Sequence, residues 1–284
     1  MRTLNQKQTL RAELGAVRRA GKTIALVPTM GNLHAGHIEL VNCARARADF
    51  VVCTIFVNPL QFGAGEDLAA YPRTLDEDIA KLEAARCDCL FAPPVDEIYS
   101  ADLATETRVH VPDLSDDYCG RSRPGHFDGV ATIVSKLFNL TQPEVAVFGL
   151  KDYQQFLIIQ KLVTDLDFDI ELIGVEIQRE TNGLALSSRN RYLSPEQRDQ
   201  AALIQQTLQD MRRQLEGGGR DFRQVEQAAS ARLSAAGFAV DYLSISHART
   251  LRQAESGDKE LVILTAAKLG PSRLLDNIRL RLSD

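Results

Sequence analysis

Apolar and polar positions along the first 175 or so residues alternate between two periods. Leu10, Leu14 and Val17 recur at helical spacing, and Gly21 follows where a helix can close at its C′ position. Compact apolar runs rich in β-branched residues come next, at Thr23–Pro28 and Phe50–Val57, separated by a helical pattern over Ile38–Ala48. Thr74-Leu75-Asp76-Glu77 has the form of a capping box opening a helix to about Ala85, and Cys89–Ala92 reads as the next strand. Gly129–Leu140 reads as a helix, Val145–Gly149 as a strand, a helix to about Asp167 follows, and Ile170–Ile177 reads as a further strand. Strands alternating with helices imply a parallel sheet with right-handed crossovers, a Rossmann-type domain.

The rhythm then changes. Ser194-Pro195-Glu196-Gln197 predicts a helix start with an N-cap serine, proline at N1 and glutamine at N3, and that helix should end at Gly217-Gly218-Gly219. A second helix is expected over Asp221–Ala236. Strands are expected at Val240–Ser246, Leu261–Leu269 and Leu274–Leu280. Two helices and a small antiparallel sheet make a second α/β domain, so the expected division is residues 1–178 and 179–284.

With 284 residues, 44% hydrophobic and 25% charged, the chain has the composition of a globular enzyme. A net charge of −5 argues against a nucleic-acid groove or a membrane surface, either of which needs a basic excess. No apolar run reaches the roughly 20 residues that span a bilayer, and the first residues lack a signal-peptide core, so the expected location is the cytoplasm. The five cysteines lack zinc-knuckle spacing and read as reduced, structural thiols.

Chemistry concentrates where strands end. Pro28-Thr29-Met30-Gly31-Asn32-Leu33-His34-Ala35-Gly36-His37 runs from a strand through a glycine turn into a helix opened by His37. Unpaired N–H groups and the positive dipole end of such a helix favour phosphate, and two imidazoles there can donate to phosphate oxygens. Taken alone, His-x-Gly-His is short enough to be an ordinary pair of histidines at a helix entrance. The strand–glycine–helix context favours a ligand site.

Asn58 and Gln61 follow the second strand. Asn58-Pro59 is equally a turn starter, whereas Gln61 carries an amide suited to a ligand with hydroxyl and carboxylate groups. At Gly149-Leu150-Lys151-Asp152-Tyr153-Gln154-Gln155, Lys151 is a cation beside a helix N-terminus, which calls for an anion. Asp152 is also an ordinary N-cap there, and Gln155 an ordinary capping-box partner. Leu186-Ser187-Ser188-Arg189 is a triphosphate clamp or a polar linker. Arg121-Ser122-Arg123-Pro124-Gly125-His126 reads first as a solvated surface turn. Neither a Ser-His-Asp triad nor a Gly-rich nucleotide fingerprint is present.

Taken together, P-T-M-G-N-L-H-A-G-H at 28–37, F-V-N-P-L-Q-F at 56–62, Y-P-R-T at 71–74, R-S-R-P-G-H-F at 121–127, G-L-K-D-Y-Q-Q at 149–155 and L-S-S-R-N-x-Y-L-S at 186–194 resemble the pantothenate synthetase (pantoate–β-alanine ligase) family over the whole chain. The resemblance implies a Rossmann-type parallel-sheet domain of the His-x-Gly-His nucleotidyltransferase superfamily with a smaller C-terminal α/β domain closing over the site. It implies ATP- and magnesium-dependent joining of pantoate to β-alanine through a pantoyl adenylate, with AMP and pyrophosphate released, in a homodimer. Met30, Gly31, Asn32, Leu33, His34, Ala35, Gly36, His37, Gly149, Leu150, Lys151, Asp152, Leu186, Ser187, Ser188 and Arg189 would contact ATP. Gln61 and Gln155 would hold pantoate, Gln61 would also lie near β-alanine, and Asn58 joins them as a substrate-binding candidate. His37 matches the family's proton donor, and His34, Lys151 and Arg189 would neutralise charge with it.

A mobile flap would fall at Gly63–Glu66. Magnesium ligands stay unassigned, the carboxylates near Tyr71–Asp78 reading first as solvated helix residues. The competing expectations are a nucleotidyltransferase acting on a phosphate acceptor, a relative of class I aminoacyl-tRNA synthetases, and an ATP-sensing module without turnover.

Overall fold

A computed structural model describes residues 1–283. The chain divides into two compact units, one made of Met1–Leu150 and Gln155–Glu176, the other of Lys151–Gln154 and the chain from Ile177 onward.

The first unit contains β1 (Arg2–Leu4), α1 (Lys7–Arg19), β2 (Ile24–Thr29), α2 (Ala35–Arg45), β3 (Phe50–Ile55), α3 (Leu75–Ala84), β4 (Cys89–Phe91), α4 (Val95–Ile98), α5 (Cys119–Ser122), α6 (His126–Thr141), β5 (Val145–Gly149), α7 (Tyr153–Asp165, beginning in the other unit) and β6 (Glu171–Val175). Its strands form one sheet in the order β1-β4-β3-β2-β5-β6, every pair parallel. Ile24–Val27 in the middle of that order is wholly buried, as expected for a parallel strand covered on both faces.

β2, β3 and β4 step one way across the sheet, and β5 and β6 lie on the other side of β2, so the direction of winding reverses between β2 and β5. That boundary is also where pairing is shortest. β2 matches β3 over six residues, but meets β5 only at Ala25↔Val145 and Leu26↔Ala146. Beyond those pairs the carboxyl ends of β2 and β5 part, which makes the crevice where open α/β sheets take ligands.

The second unit contains α8 (Pro195–Ala201), α9 (Leu203–Glu216), α10 (Phe222–Ala235), β7 (Ala239–His247), β8 (Glu260–Leu269) and β9 (Ser272–Arg281). Its strands pair antiparallel in the order β7-β8-β9. Ile204, Leu208, Met211 and Leu215 of α9 and Leu233 of α10 pack with Ile245, Leu261 and Ile263 into its core. The capping box at Ser194 and Gln197 forms as the sequence predicts.

The structure corrects several details. β1 was not anticipated; it pairs with β4, 87 positions away. α2 starts at Ala35 with His34 as its N-cap, so His37 lies in the first turn rather than opening the helix. Thr74 does precede α3, but its hydroxyl bonds Asp78 Oδ2 at 3.2 Å and no capping box forms. α6 begins at His126, three residues before the expected start. The helix expected from Pro195 to the glycine run is interrupted at Ala202, whose N–H reaches back three residues to Asp199.

Candidate active site

Where β2 ends, the chain must turn sharply to enter α2. Thr29 begins the turn, its hydroxyl donating to Thr54 O at 2.7 Å and accepting Gly31 N–H at 3.2 Å. Gly31 has φ +81°, a conformation that favours glycine, and a Cβ there would crowd Ile55 Cγ2 at 3.0 Å and Asp78 Oδ2 at 3.2 Å. Asn32 follows at φ +50°, the left-handed conformation that asparagine tolerates. Asp78 of α3 holds the turn from beneath. Wholly buried, its carboxylate accepts Asn32 N–H at 2.8 Å and Leu33 N–H at 2.7 Å. The carboxylates of Tyr71–Asp78 are therefore not all solvated; this one is a brace.

The two histidines cap the helix they introduce. His34 Nδ1 accepts Gly36 N–H at 3.1 Å, and His37 Nδ1 accepts His34 N–H at 3.2 Å. The rings lie 4.1 Å apart between centroids. This is a capping box with imidazoles in place of the usual serine and glutamate. An imidazole nitrogen that accepts carries no proton, so each neutral ring holds its proton on Nε2. The cap thus fixes both tautomers, with the Nε2–H of each ring at the N-terminus of an 11-residue helix.

The chain leaving β3 enters one 3₁₀ turn, Pro59–Gln61, capped by Asn58, whose Oδ1 accepts Leu60 N–H at 3.2 Å. Asn58 is 1% exposed, and its amide also donates to Gly129 O at 2.9 Å and Gln61 Oε1 at 3.2 Å. Gln61 Nε2 lies 2.7 Å from Met30 Sδ, so this amide sits against the first residue of the β2–α2 turn. Asn58, Gln61 and Met30 are brought together as the sequence suggests, but Asn58 bonds protein groups throughout and serves to orient Gln61.

The Arg121–His126 loop departs from the expected solvated turn. Arg121 is exposed, but Arg123 and His126 turn inward. Arg123 Nε and Nη2 each donate to Glu66 at 2.6 Å, Nη1 lies 2.9 Å from His126 Nε2, and Nη2 reaches Gln61 O at 3.3 Å. His126 Nδ1 lies 2.7 Å from the same carbonyl, so Nδ1 donates to Gln61 O. Those arginine bonds hold the Glu66 carboxyl below the usual carboxylate range. The Gly63–Glu66 segment, expected as a flap, is thus pinned at Glu66.

The second unit carries most of the remaining candidates, and Gly149, Leu150 and Gln155 belong to the first. Lys151 lies in a 3₁₀ turn, Leu150–Asp152, directly after β5, with Nζ 3.9 Å from Asp152 Oδ1 and its carbonyl accepting Asn277 Nδ2 at 3.0 Å. Ser187 caps another, Ser188–Tyr192, by accepting Arg189 N–H at 3.3 Å, and Arg189 O accepts the Ser272 hydroxyl at 3.1 Å. The loop is therefore built, not a slack linker. Lys151, Ser187, Asn190 and Asp276 line one small cavity of this unit, and buried Asn190 Oδ1 lacks a protein partner there. Gly149 ends β5, and half-buried Gln155 is the third residue of α7.

Sequence reasoning missed Asp78, Tyr99 and Gly129. Tyr99 follows α4 and donates its hydroxyl to Asn58 Oδ1 at 2.9 Å. Gly129, a glycine inside a helix, marks a close backbone approach and could have been read as one.

A family model for pantoate-beta-alanine ligase matches residues 2–279. The pantothenate synthetase of Pseudomonas entomophila (strain L48) is 54% identical over 284 residues, covering 100% of this chain and 99% of that protein. That of Shewanella halifaxensis (strain HAW-EB4) is 52% identical over 277 residues, 98% of each. Among solved structures, the pantothenate synthetase of Thermus thermophilus superposes with a TM-score of 0.92 at 45% identity, covering 98% of this chain and 99% of that one. The pantoate-beta-alanine ligase of Francisella tularensis, complexed with beta-gamma ATP and beta-alanine, gives 0.82 at 30% identity, covering 98% and 97%.

Proposed function

The chain belongs to the pantoate–β-alanine ligase family, and from that premise we propose how its residues divide the work. The enzyme is a ligase that condenses pantoate with β-alanine at the expense of ATP. In our reading a pantoate carboxylate oxygen attacks the α-phosphorus, the bond to the bridging oxygen breaks, and pyrophosphate leaves in line. The β-alanine amine then attacks the acyl carbon of the pantoyl adenylate, AMP leaves, and the nitrogen gives up its proton. No protein nucleophile enters either step, so positioning and charge neutralisation carry the catalysis.

The observation that carries this reading is the imidazole capping box. Two Nε2–H donors of fixed tautomer stand at a helix N-terminus, where phosphate is favoured. His37 is the proposed donor as negative charge builds on the phosphates, with His34, Lys151 and Arg189 neutralising. The residues assigned to ATP are Met30–His37, Gly149–Asp152 and Leu186–Arg189. Gln61 and Gln155 are assigned to pantoate, Gln61 also lying next to β-alanine. Asn58 enters as the residue that orients Gln61.

Magnesium enters our reading as the companion of ATP. Among the described residues no group of three His, Cys, Asp or Glu side chains is arranged to hold a metal. An ion held by phosphate oxygens, water and at most one or two carboxylates fits that donor set, and it would neutralise the departing pyrophosphate. No helix among the described residues is long and apolar enough to cross a membrane, and a cytoplasmic homodimer is the setting we assign.

Pyrophosphate and AMP release, followed with ATP, magnesium and pantoate with and without β-alanine, tests the route. A single turnover of pyrophosphate without β-alanine, becoming steady AMP production when it is added, is the expected result. Absence of pantoate-dependent pyrophosphate release before β-alanine is added would remove the adenylate from the mechanism.

A further inference from the structure

Gln61 is held at its backbone nitrogen, its carbonyl and both ends of its side-chain amide, and residues that no assignment of the site includes take part in this. α6 passes so close to the 3₁₀ turn that a Cβ on Gly129 would lie 2.3 Å from Leu60 O, 2.4 Å from Leu60 C and 2.6 Å from Gln61 N. All three are backbone atoms, which cannot swing aside as a side-chain tip would. The bare Cα of Gly129 therefore sets how deep the Leu60–Gln61 peptide sits, and Gly129 O receives the Asn58 amide at 2.9 Å.

Tyr99 completes the arrangement from the other side. Its hydroxyl donates to Asn58 Oδ1 at 2.9 Å. With Oδ1 accepting from Tyr99 as well as from the Leu60 N–H, the asparagine must present its NH₂ to Gly129 O and Gln61 Oε1, which fixes which end of its amide faces Gln61. Gln61 Oε1 thereby accepts, and its own NH₂ is turned towards Met30 at the β2–α2 turn. Tyr99 is itself immobilised, 3% exposed, with Lys136 Nζ of α6 4.5 Å above its ring and Phe56 5.9 Å away between centroids.

We infer that Tyr99 and Gly129 are positioning residues for the hydroxy-acid substrate, Tyr99 setting the orientation of the Gln61 amide through Asn58 and Gly129 setting its depth. The inference rests on the assignment of Gln61 to pantoate. It adds to that assignment a chain of contacts from α6 and the segment after α4 to one side-chain amide. This chain of contacts bypasses the His34–His37 cap and meets the ATP assignment only where the Gln61 amide touches Met30, so pantoate binding should change more than ATP binding. A residue that merely held the fold together would move both substrates alike.

The test uses the full-length enzyme with Tyr99→Phe, Gln61→Ala, the double variant and Gly129→Ala, measuring KM separately for pantoate and ATP. Tyr99→Phe removes one neutral hydrogen bond and should raise the pantoate KM about three- to tenfold, with a smaller effect on the ATP KM. Gln61→Ala should raise the pantoate KM further, and adding Tyr99→Phe to it should have no additional effect, because the two act through one group. Gly129→Ala, if it folds, should exceed Tyr99→Phe; if it does not, the cycle of Tyr99 with Gln61 carries the test.

Should Gln61→Ala raise the pantoate KM while Tyr99→Phe leaves it unchanged, or multiplies with it in the double variant, the positioning inference fails and Gln61 stands. Were Gln61→Ala itself without effect on pantoate, the assignment of Gln61 would fall, and the inference with it.

Discussion

Asp78 Oδ1 accepts the N–H of Leu33 at 2.7 Å from a side chain buried in the protein, and this bond ties α3 to the turn that delivers the two capping histidines. Asp78→Ala would leave the Asn32 and Leu33 donors without their acceptor, at about 1–3 kcal/mol for each donor that stays buried. Urea unfolding should show that loss. The turnover number should fall, and the KM for ATP should rise more than that for pantoate, since the displaced turn carries residues assigned to ATP.

His37 has two tasks, and one substitution separates them. His37→Gln keeps a side chain that can accept the His34 N–H at the third position of α2, where glutamine is a common capping partner. Its melting temperature should stay near that of the parent. Pantoate-dependent pyrophosphate release should drop by about 10²–10³, the scale of one lost transition-state donor. His37→Ala should show the same kinetic loss with an added cap penalty of about 1 kcal/mol.

The Arg123–Glu66 pair has a defined acid limit. Because the arginine bonds lower the Glu66 pKa on folding, the pair contributes stability above the ordinary value of 4.5 and loses it as the pH falls through the lower folded value. A carboxyl-carbon NMR titration should place the Glu66 midpoint below 4.5, and Arg123→Ala should return it to the ordinary range.

His110 moves in the opposite sense. Its Nδ1 lies 2.8 Å from Asp128 Oδ1, which raises the imidazole pKa from 6.5. The pair is then favourable below 6.5 and is lost as the pH rises through the raised folded value. Proton NMR should find the midpoint above 6.5, and Asp128→Asn should remove the difference.

The thiols should be inert in the folded enzyme. Burial pushes Cys87 up to about 11 and Cys89 up to about 12, and raises Cys53 as well, so little thiolate exists near neutrality. A thiol reagent should label the half-buried Cys43 first, slowly because its pKa is also raised, and all five cysteines only in denaturant.

What could be read in the sequence was local. Val145–Gly149 announces itself by a run of apolar residues, and Ser194 and Gln197 by a three-residue spacing, and each forms as expected. The His-x-Gly-His turn and Gln61 were visible because unusual residues follow strands. The restraints on them were not, since those join distant positions. Arg123 meets Glu66 across 57 residues and Tyr99 meets Asn58 across 41, and no periodicity encodes such pairings. Thr74 shows the same limit within one turn. Its spacing to Glu77 suggests a capping box, but the buried carboxylate of Asp78 takes the hydroxyl instead.

The short ladder between β2 and β5 has a mechanical consequence. With only two matched residue pairs there, the sheet is two leaves, β1-β4-β3-β2 and β5-β6, fastened along a seam near its amino end. A nucleotide seated in the open end of that seam would act as a second fastener, so occupancy would resist the parting of the leaves as well as supply the reactant. Linkage puts this at about 2.7 kcal/mol when the ligand stands at 100 times its Kd. Backbone amides of Val27–Thr29 and Val147–Gly149 are where that added rigidity would register in hydrogen exchange.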